Sequence, residues 1–220
     1  MACLAGILLA WAPEVRAQQP VSQQVLLSAK ADGISAGGES TSPSLSDSGE
    51  VAAFQSTADD LHPEDRDQIP DIYLTSSAFP RPFLASVSSS PGSVKGDGAS
   101  RLPSLSGDGV RVLFVSDARN LVPDDRNGFT DVFLRDIAAG MTERVSLSGA
   151  GTEGDDASDH GVLSRDGRFA AFSSRAGNLA GPQAPRGTSR IHLRNLAERA
   201  TIRIDLPGGE PADADCLLPD

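Results

Sequence analysis

Two stretches of the chain place oxygen-bearing side chains at a spacing suited to a hard cation. Each has an Asp, an Asp or Asn two positions later, and a further Asp four positions after that. The six candidate metal ligands are Asp65, Asp67 and Asp71 in the first stretch and Asp125, Asn127 and Asp131 in the second. Oxygen ligands at this spacing, completed by a carboxylate at the start of a strand, suit Ca²⁺. The pattern therefore predicts a calcium-binding loop in each stretch, and it predicts no other cofactor.

A local turn explains the same residues without a metal. Asp and Asn side chains accept hydrogen bonds from nearby backbone N–H groups, and Gly128 can adopt the positive φ that such turns require. The EF-hand pattern is incomplete, since no Glu occupies the twelfth loop position. A related third stretch at 181–190, "GPQAPRGTSR", has lost the ligand positions altogether. The sequence leaves calcium and a simple turn as alternatives.

The remaining patterns predict no catalytic site. The segment "GAGTEG" at 149–154 has the glycine spacing of a dinucleotide loop, but an acidic, strand-like segment follows it instead of a helix. The sequence has no G-x-S-x-G motif and no His or Cys cluster with zinc spacing. His62 and His160 are expected in loops, and His192 is expected to pack at a strand position equivalent to Phe133. We therefore predict a non-enzymatic protein with neither catalytic nor cofactor-binding residues.

A unit of about 60 residues occurs three times and must position these loops. Residues 43–74 align with residues 103–134 without a gap. A third copy begins at 162–181 and resumes at 190–206, with its acidic loop replaced. A fixed period of this length indicates a propeller or another repeat array.

Each unit reads as four strands. The second unit predicts strands over 103–106, 110–116, 131–136 and 142–148. An Asp-Gly pair forms a tight turn after the first of them, and the strands are rich in β-branched and aromatic residues. Four antiparallel strands per unit make one propeller blade. The predicted fold class is all-β, a β-propeller-type array of about three four-stranded antiparallel blades that forms a partial propeller.

The repeat divides the chain into five parts. They are a signal peptide at 1–17, an orphan fourth strand with its exit loop at 18–42, blade 1 at 43–102, blade 2 at 103–161, and blade 3 with a tail at 162–220. Three blades are fewer than the four to eight that usually close a propeller. Either the chain is a fragment of a longer protein, or several copies complete a ring, or the array stays open. We favour a fragment, because the start of the signal lacks the usual positive charges.

The first seventeen residues, "MACLAGILLAWAPEVRA", are typical of a secretory signal. An apolar run extends from Leu4 to Trp11, and small residues at Val15 and Ala17 suit a cleavage site. No segment approaches the roughly 20 apolar residues of a membrane helix. We therefore expect a periplasmic or secreted protein without a membrane span. Cys216 is the single cysteine after this signal, so no internal disulfide is expected.

The chain is strongly acidic, with a formal net charge of −11. This charge repels nucleic acids and anionic lipid surfaces, so nucleic acid is not an expected partner. Residues 162–206 differ from the rest, with eight Arg against two Asp and one Glu. A basic blade could steer an anionic partner or pair with another copy of the chain. Ordinary solvated strand edges are the simpler explanation.

Segments 104–116, 120–136 and 164–174 resemble the blade repeats of the TolB-like (WD40-like) β-propellers of exported bacterial proteins. The resemblance lies in an S-x-D-G turn followed by a strand that ends in an aromatic residue and Ser, and it extends over about residues 24–210. It implies the propeller fold but no particular activity. TolB itself pairs its propeller with an N-terminal α/β domain that this sequence does not resemble, so a Tol-Pal role is not implied.

These observations lead to one functional hypothesis and its alternatives. The leading hypothesis is a non-enzymatic exported β-propeller module that acts as a protein-interaction platform in the cell envelope, with calcium-stabilised loops. The expected partner is another protein, or a second copy that meets the open blade edges. The alternative is the propeller portion of a longer secreted hydrolase or peptidase. Carbohydrate binding is disfavoured, because aromatic residues form only 5% of the chain.

Overall fold

The computed structural model describes residues 26–76, 81–89 and 91–204. Within these ranges the chain forms twelve β-strands in three four-stranded antiparallel sheets. The predicted all-β, three-blade architecture is confirmed. No helix long and apolar enough to cross a membrane occurs in the described part. The predicted signal peptide, Cys216 and the first residues of the predicted orphan strand lie outside the described residues.

Strands that follow each other in the chain are neighbours in each sheet. The first blade contains β1 (Ser40–Leu45), β2 (Val51–Ser56), β3 (Asp71–Ser76) and β4 (Phe83–Leu84). The second contains β5 (Ser100–Leu105), β6 (Arg111–Ser116), β7 (Asp131–Asp136) and β8 (Met141–Arg144). The third contains β9 (Ser158–Leu163), β10 (Phe169–Ser174), β11 (Arg190–Asn195) and β12 (Ala200–Arg203).

The fourth strand of the second blade is shorter than the predicted segment 142–148, since β8 has only four residues. A side-chain hydroxyl explains the early end. Ser146 Oγ accepts the hydrogen bond of Val132 N at 3.1 Å, where a continuing ladder would offer a backbone carbonyl. The chain then turns, and Leu147 forms an isolated bridge with Glu153.

A bulge interrupts the first strand of each blade at the same position. Ser42, Leu102 and His160 adopt positive φ values of 52°, 55° and 45°, and the pairing between the first and second strands shifts register beside them. Residues other than glycine rarely adopt this conformation, so the fold retains a strained feature three times. His160 is the bulge residue of the third blade and lies within β9. The prediction that it lies in a loop is therefore wrong.

The apolar core lies largely between neighbouring blades. Leu105 of β5 belongs to a buried cluster that includes Ile72 and Leu74 of the first blade. Leu163 of β9 belongs to a second cluster that includes Val132 of the second blade. Burying a leucine side chain contributes about 2 kcal/mol to stability. Each blade therefore covers the face of the blade before it.

An aromatic pair recurs between the second and third strands of every blade. The pairs are Phe54 with Tyr73, Phe114 with Phe133, and Phe172 with His192, and their ring centroids lie 5.9, 6.0 and 5.6 Å apart. His192 is buried. The predicted packing role of this histidine is confirmed.

Hydrogen bonds also join consecutive blades through their first strands. Ser44 Oγ accepts from Leu105 N, and Ser104 Oγ accepts from Leu163 N, both at 3.0 Å. The two bonds are equivalent in the repeat. A serine hydroxyl in one blade thus positions the first strand of the next.

A buried arginine and a threonine attach each of the later blades to the exit loop of the blade before. The bonds run from Arg135 to Ser88 O (3.0 Å), from Thr142 to Val87 O (2.5 Å), from Arg194 to Leu147 O (3.0 Å) and from Thr201 to Leu147 O (2.6 Å). Hydrogen bonds from a charged donor contribute roughly 1.5–3 kcal/mol. These bonds therefore join the second blade to the first and the third blade to the second.

The described N-terminal residues pack on the first blade as an exit loop does. Ala29 forms an isolated bridge with Ser35, like the bridges that follow β4 and β8. Gly37 N donates to Asp60 Oδ1 at 2.9 Å and fixes this loop on the first blade. From Leu26 onward the described residues before this bridge form no strand.

Candidate functional site

The three predicted cation ligands of the first stretch lie together in the first blade. They are Asp65, Asp67 and Asp71. One oxygen from each falls within 4.8 Å of the others. Asp71 begins β3, and the other two belong to the loop before it. Asp65 and Asp71 are buried, whereas Asp67 is exposed. The structure therefore brings the three predicted residues of this loop into one cluster.

A lysine from the loop after β4 contacts all three carboxylates. Lys95 Nζ lies 2.9 Å from Asp71 Oδ2, 3.0 Å from Asp67 Oδ2 and 3.6 Å from Asp65 Oδ1. Its side chain is largely buried. No sequence pattern points to Lys95, because it lies far from the acidic loop in the chain and belongs to no local motif.

Burial and charge shift the pKa values in this cluster. Burial raises the pKa of Asp71 to about 6, against the opposing effect of hydrogen bonds from Ser86 and Lys95. Burial alone would lower the pKa of Lys95, but hydrogen bonds to Asp71 and its neighbours raise it above its usual value. The Tyr73 hydroxyl donates to Asp65 Oδ2, and burial together with this bond raises the pKa of Tyr73. The cluster is a group of acids held around a charged lysine.

Asp125, Asn127 and Asp131 form a corresponding cluster in the second blade, where the cation is an arginine. Arg144 Nη1 lies 3.2 Å from Asp131 Oδ2 and 3.7 Å from Asp125 Oδ1, and it also contacts Glu153. Asn127 Nδ2 donates to Asp131 Oδ2 at 2.9 Å. Burial raises the pKa values of both aspartates. The predicted residues of this loop are therefore also brought together.

The two cations come from positions that are not equivalent in the repeat. By sheet register, Arg144 corresponds to Leu84 in the first blade. By the bridges that follow the blades, Lys95 corresponds to Glu153. In each of these two blades a basic side chain therefore contacts the acidic loop, but Lys95 and Arg144 come from different positions of the repeat. This common property argues that the acids require a positive charge beside them.

Both loops also contain a turn held by a side-chain oxygen, which is the alternative to calcium binding. Asp67 Oδ1 accepts from Ile69 N, and Asn127 Oδ1 accepts from Phe129 N, both at 2.9 Å. The oxygen atoms are of the type that Ca²⁺ prefers. An ion would have to share them with a basic side chain or displace it. Calcium binding in these loops stays a prediction.

The third blade replaces the acid at this position by a base. By sheet register, Arg190 takes the place of Asp131, and its Nη1 donates to Thr188 O at 2.9 Å. The described residues of this blade form no cluster of three acids. The acidic loops therefore belong to the first two blades and do not form a ring of equivalent sites.

A groove of about 710 Å³ adjoins the cluster of the second blade and extends to the third. Its walls carry charges of both signs, from Arg126, Glu143, Arg194 and Arg199 among others. No Ser, Cys, His, Lys or Tyr occurs among its described lining residues. Its lining also includes Thr142 and Thr152, so charged and polar side chains form most of it.

Several solved propeller structures are similar to this chain. A TolB-type protein from Agrobacterium tumefaciens has a TM-score of 0.46 and 19% identity, over 74% of this chain and 44% of that one. TolB from Acinetobacter baumannii has a TM-score of 0.33 and 16% identity, over 77% and 45%. The β-propeller domain of the Trilobed protease from Pyrococcus furiosus has a TM-score of 0.46 and 11% identity, over 78% and 44%.

This chain thus spans less than half the length of these three proteins. No protein-family model and no curated protein matches the sequence. The likeness concerns fold alone. Its three sheets and the buried faces that they share make this chain a partial β-propeller.

Proposed function

We propose that this chain is a non-enzymatic, exported β-propeller module that acts as a protein-interaction platform in the cell envelope. Catalysis is not proposed, because the most buried carboxylates of the two acidic clusters have no access to a substrate. Asp71 is buried against Lys95, and Asp131 is buried against Arg144.

The observation that carries the proposal is an apolar face on the third blade. We define this outer face by Ile191, Leu193 and Ile204. Ile204 N donates to Ile191 O at 2.9 Å, just as Val145 N donates to Val132 O at 2.7 Å in the second blade. These equivalent positions differ in exposure, since Ile204 is 51% exposed and Val145 is fully buried beneath the third blade.

Exposed apolar patches rimmed by charge mark protein interaction sites more often than ordinary surface. Arg168, Arg199 and Arg203 belong to the same blade and bring positive charge to it. An apolar centre with arginine in the blade around it resembles the composition of protein interfaces. A folded protein is therefore the class of ligand that we assign to this face.

A photo-crosslinking experiment tests the proposal. Benzoylphenylalanine at position 204 should capture one defined protein when the purified chain is mixed with an envelope extract. The same group at Glu64, an exposed loop residue of the first blade, serves as the control. Equal capture from both positions, or capture from neither, would contradict the assignment of this face.

The second interpretation, a propeller joined to a hydrolase or peptidase, stays a prediction. It differs from the first in requiring a catalytic domain beside the blades. Peptide hydrolysis that copurifies with the natural protein and resists high salt would favour it over the platform.

A further inference from the structure

The groove of about 710 Å³ between the second and third blades is large enough for a small ligand. The second blade contributes Glu143 in β8 and the exit loop at 147–153. The third blade contributes Arg194 in β11 and Arg199 in the turn before β12. The groove thus lies at an internal junction, and described residues of both blades form it.

Two charged groups distinguish this groove from the junction between the first and second blades. By sheet register, Phe83 takes the place of Glu143 there, and Gly140 takes the place of Arg199. Arg194, in contrast, has an equivalent arginine at the other junction, where it forms the same kind of bond to the preceding exit loop. Attachment of the blades therefore explains Arg194, but it does not explain the other two charges.

Arg199 has a strained backbone. Its φ is 55°, and that of the equivalent Gly140 is 65°. Glycine adopts this conformation readily, whereas a residue with a Cβ atom does so at a cost. The third blade thus has an arginine where a glycine would fit better. Strained residues of this kind cluster at ligand-binding sites, which points to a role for the side chain of Arg199.

The charged groups of the groove lack counter-ions within the described part of the chain. The side chains of Glu143 and Arg199 are exposed, and neither forms an ion pair or a hydrogen bond there. Arg194 is buried and bonds to Leu147 O through Nη1, but it has no ion pair with a described acid. Burial lowers the pKa of Arg194, Glu143 opposes this effect, and Arg199 adds to it. The three side chains are therefore close enough to act together on a ligand.

The exit loop adds free backbone donors to the groove. Gly149 and Ala150 are exposed, and their N–H groups form no hydrogen bond with the described residues. Such groups donate well to a carboxylate or to a peptide carbonyl. The matching ligand has an anionic group, a cationic group and carbonyl oxygens between them. A short peptide with free termini has all three.

We infer that this groove binds a short peptide with free termini. The terminal carboxylate lies at Arg194 and Arg199, and the terminal ammonium group lies at Glu143. Peptide carbonyl groups accept hydrogen bonds from the N–H groups of Gly149 and Ala150. The groove is distinct from the outer face of the third blade, so the inference goes beyond the proposed function.

A titration with alanine peptides followed by NMR tests the inference. Peptides of about two to five alanines should shift the amide signals of Gly149 and Ala150, and the series identifies the tightest binder. The N-acetylated and the C-amidated forms of that peptide each lack one charge, so each should bind about fivefold more weakly. 6-Aminohexanoate carries both charges without peptide groups and should also bind more weakly.

Variants of the chain assign each charge to its partner. Glu143→Gln should bind the free and the acetylated peptide equally. Arg199→Gly should bind the free peptide and its amide with little difference. Its thermal stability should not fall, because glycine suits the positive φ. Glu198→Gln is the matched control, since Glu198 lies in the same turn as Arg199 but does not line the groove, and it should keep both preferences.

Three results would overturn the inference. They are the absence of binding by every peptide of the series, equal affinity of the free and capped forms, and equal affinity of 6-aminohexanoate. A variant that loses binding together with its fold would show only a structural role, and thermal unfolding of each variant detects that case. Crosslinking at position 204 probes the outer face alone, so the peptide site and the interaction platform can fail separately.

Discussion

Arg165 in the third blade forms an ion pair with Asp47 in the first blade, with Nη2 2.6 Å from Oδ1. The pair passes over Gly107 in the second blade, where a Cβ atom would lie only 2.6 Å from Asp47 Oδ2. Both charged side chains are well exposed, so the pair contributes at most about 1 kcal/mol. Its importance is geometric, because it brings the turns of three consecutive blades together on one side of the array.

Replacement of Lys95 by Met should destabilise the chain by about 3–5 kcal/mol. The change leaves the buried carboxylates of Asp65 and Asp71 without their cation, which is the costly way to break a buried ion pair. Lys30→Met is the matched control, since Lys30 pairs with Asp60 at a partly exposed site and should lose less than about 1 kcal/mol. Chemical denaturation of the three proteins measures the difference. Equal losses would show that Lys95 is not needed to neutralise the cluster.

Calcium should stabilise the Lys95→Met variant more than the natural chain. Removal of the ammonium frees three carboxylates whose oxygens lie within 4.8 Å of one another, a set that suits a hard cation. Thermal unfolding with calcium and with chelator measures the effect in both proteins. A large chelator effect on the natural chain would instead show that calcium binds and displaces Lys95. Insensitivity of both proteins would leave the turn as the explanation of this loop.

The free energy of unfolding should contain a component that falls as pH rises from about 4 to about 6. The folded pKa of Asp71 is raised from 3.8 to about 6 by burial, so the folded chain binds this proton more tightly than the unfolded chain. Its contribution is complete below the unfolded pKa and is lost as pH rises through the folded pKa, with a span of about 3 kcal/mol. Asp71→Asn keeps the neutral shape and should remove this component. Parallel pH profiles for the two proteins would contradict the raised pKa.

Much of this fold could be predicted because the three copies of the repeat can be aligned with one another within a single sequence. The third strand of the second blade, Asp131–Asp136, coincides with the predicted strand. Because His192 aligns with Phe133, the sequence likewise predicts that this polar side chain packs in the core. Equivalent positions in a repeat share an environment, and this constraint is visible in one sequence.

The cations of the acidic loops could not be predicted in this way. Lys95 and Arg144 occupy different positions of the repeat, so comparison of the blades hides their common role. The bulge was hidden for a different reason. Its residues are Ser42, Leu102 and His160, and no glycine marks their positive φ. Sequence patterns report local preferences, whereas these features come from contacts between distant segments.

Replacement of His192 by Phe should preserve the fold. Its ring stacks on Phe172 in a buried position where the other blades carry Phe133 and Tyr73. A change of similar volume should alter the free energy of unfolding by less than about 1.5 kcal/mol, whereas His192→Ala should remove about 3 kcal/mol. Denaturant titration separates the two outcomes. A large loss in the Phe variant would mean that the imidazole nitrogens hold the strand in place.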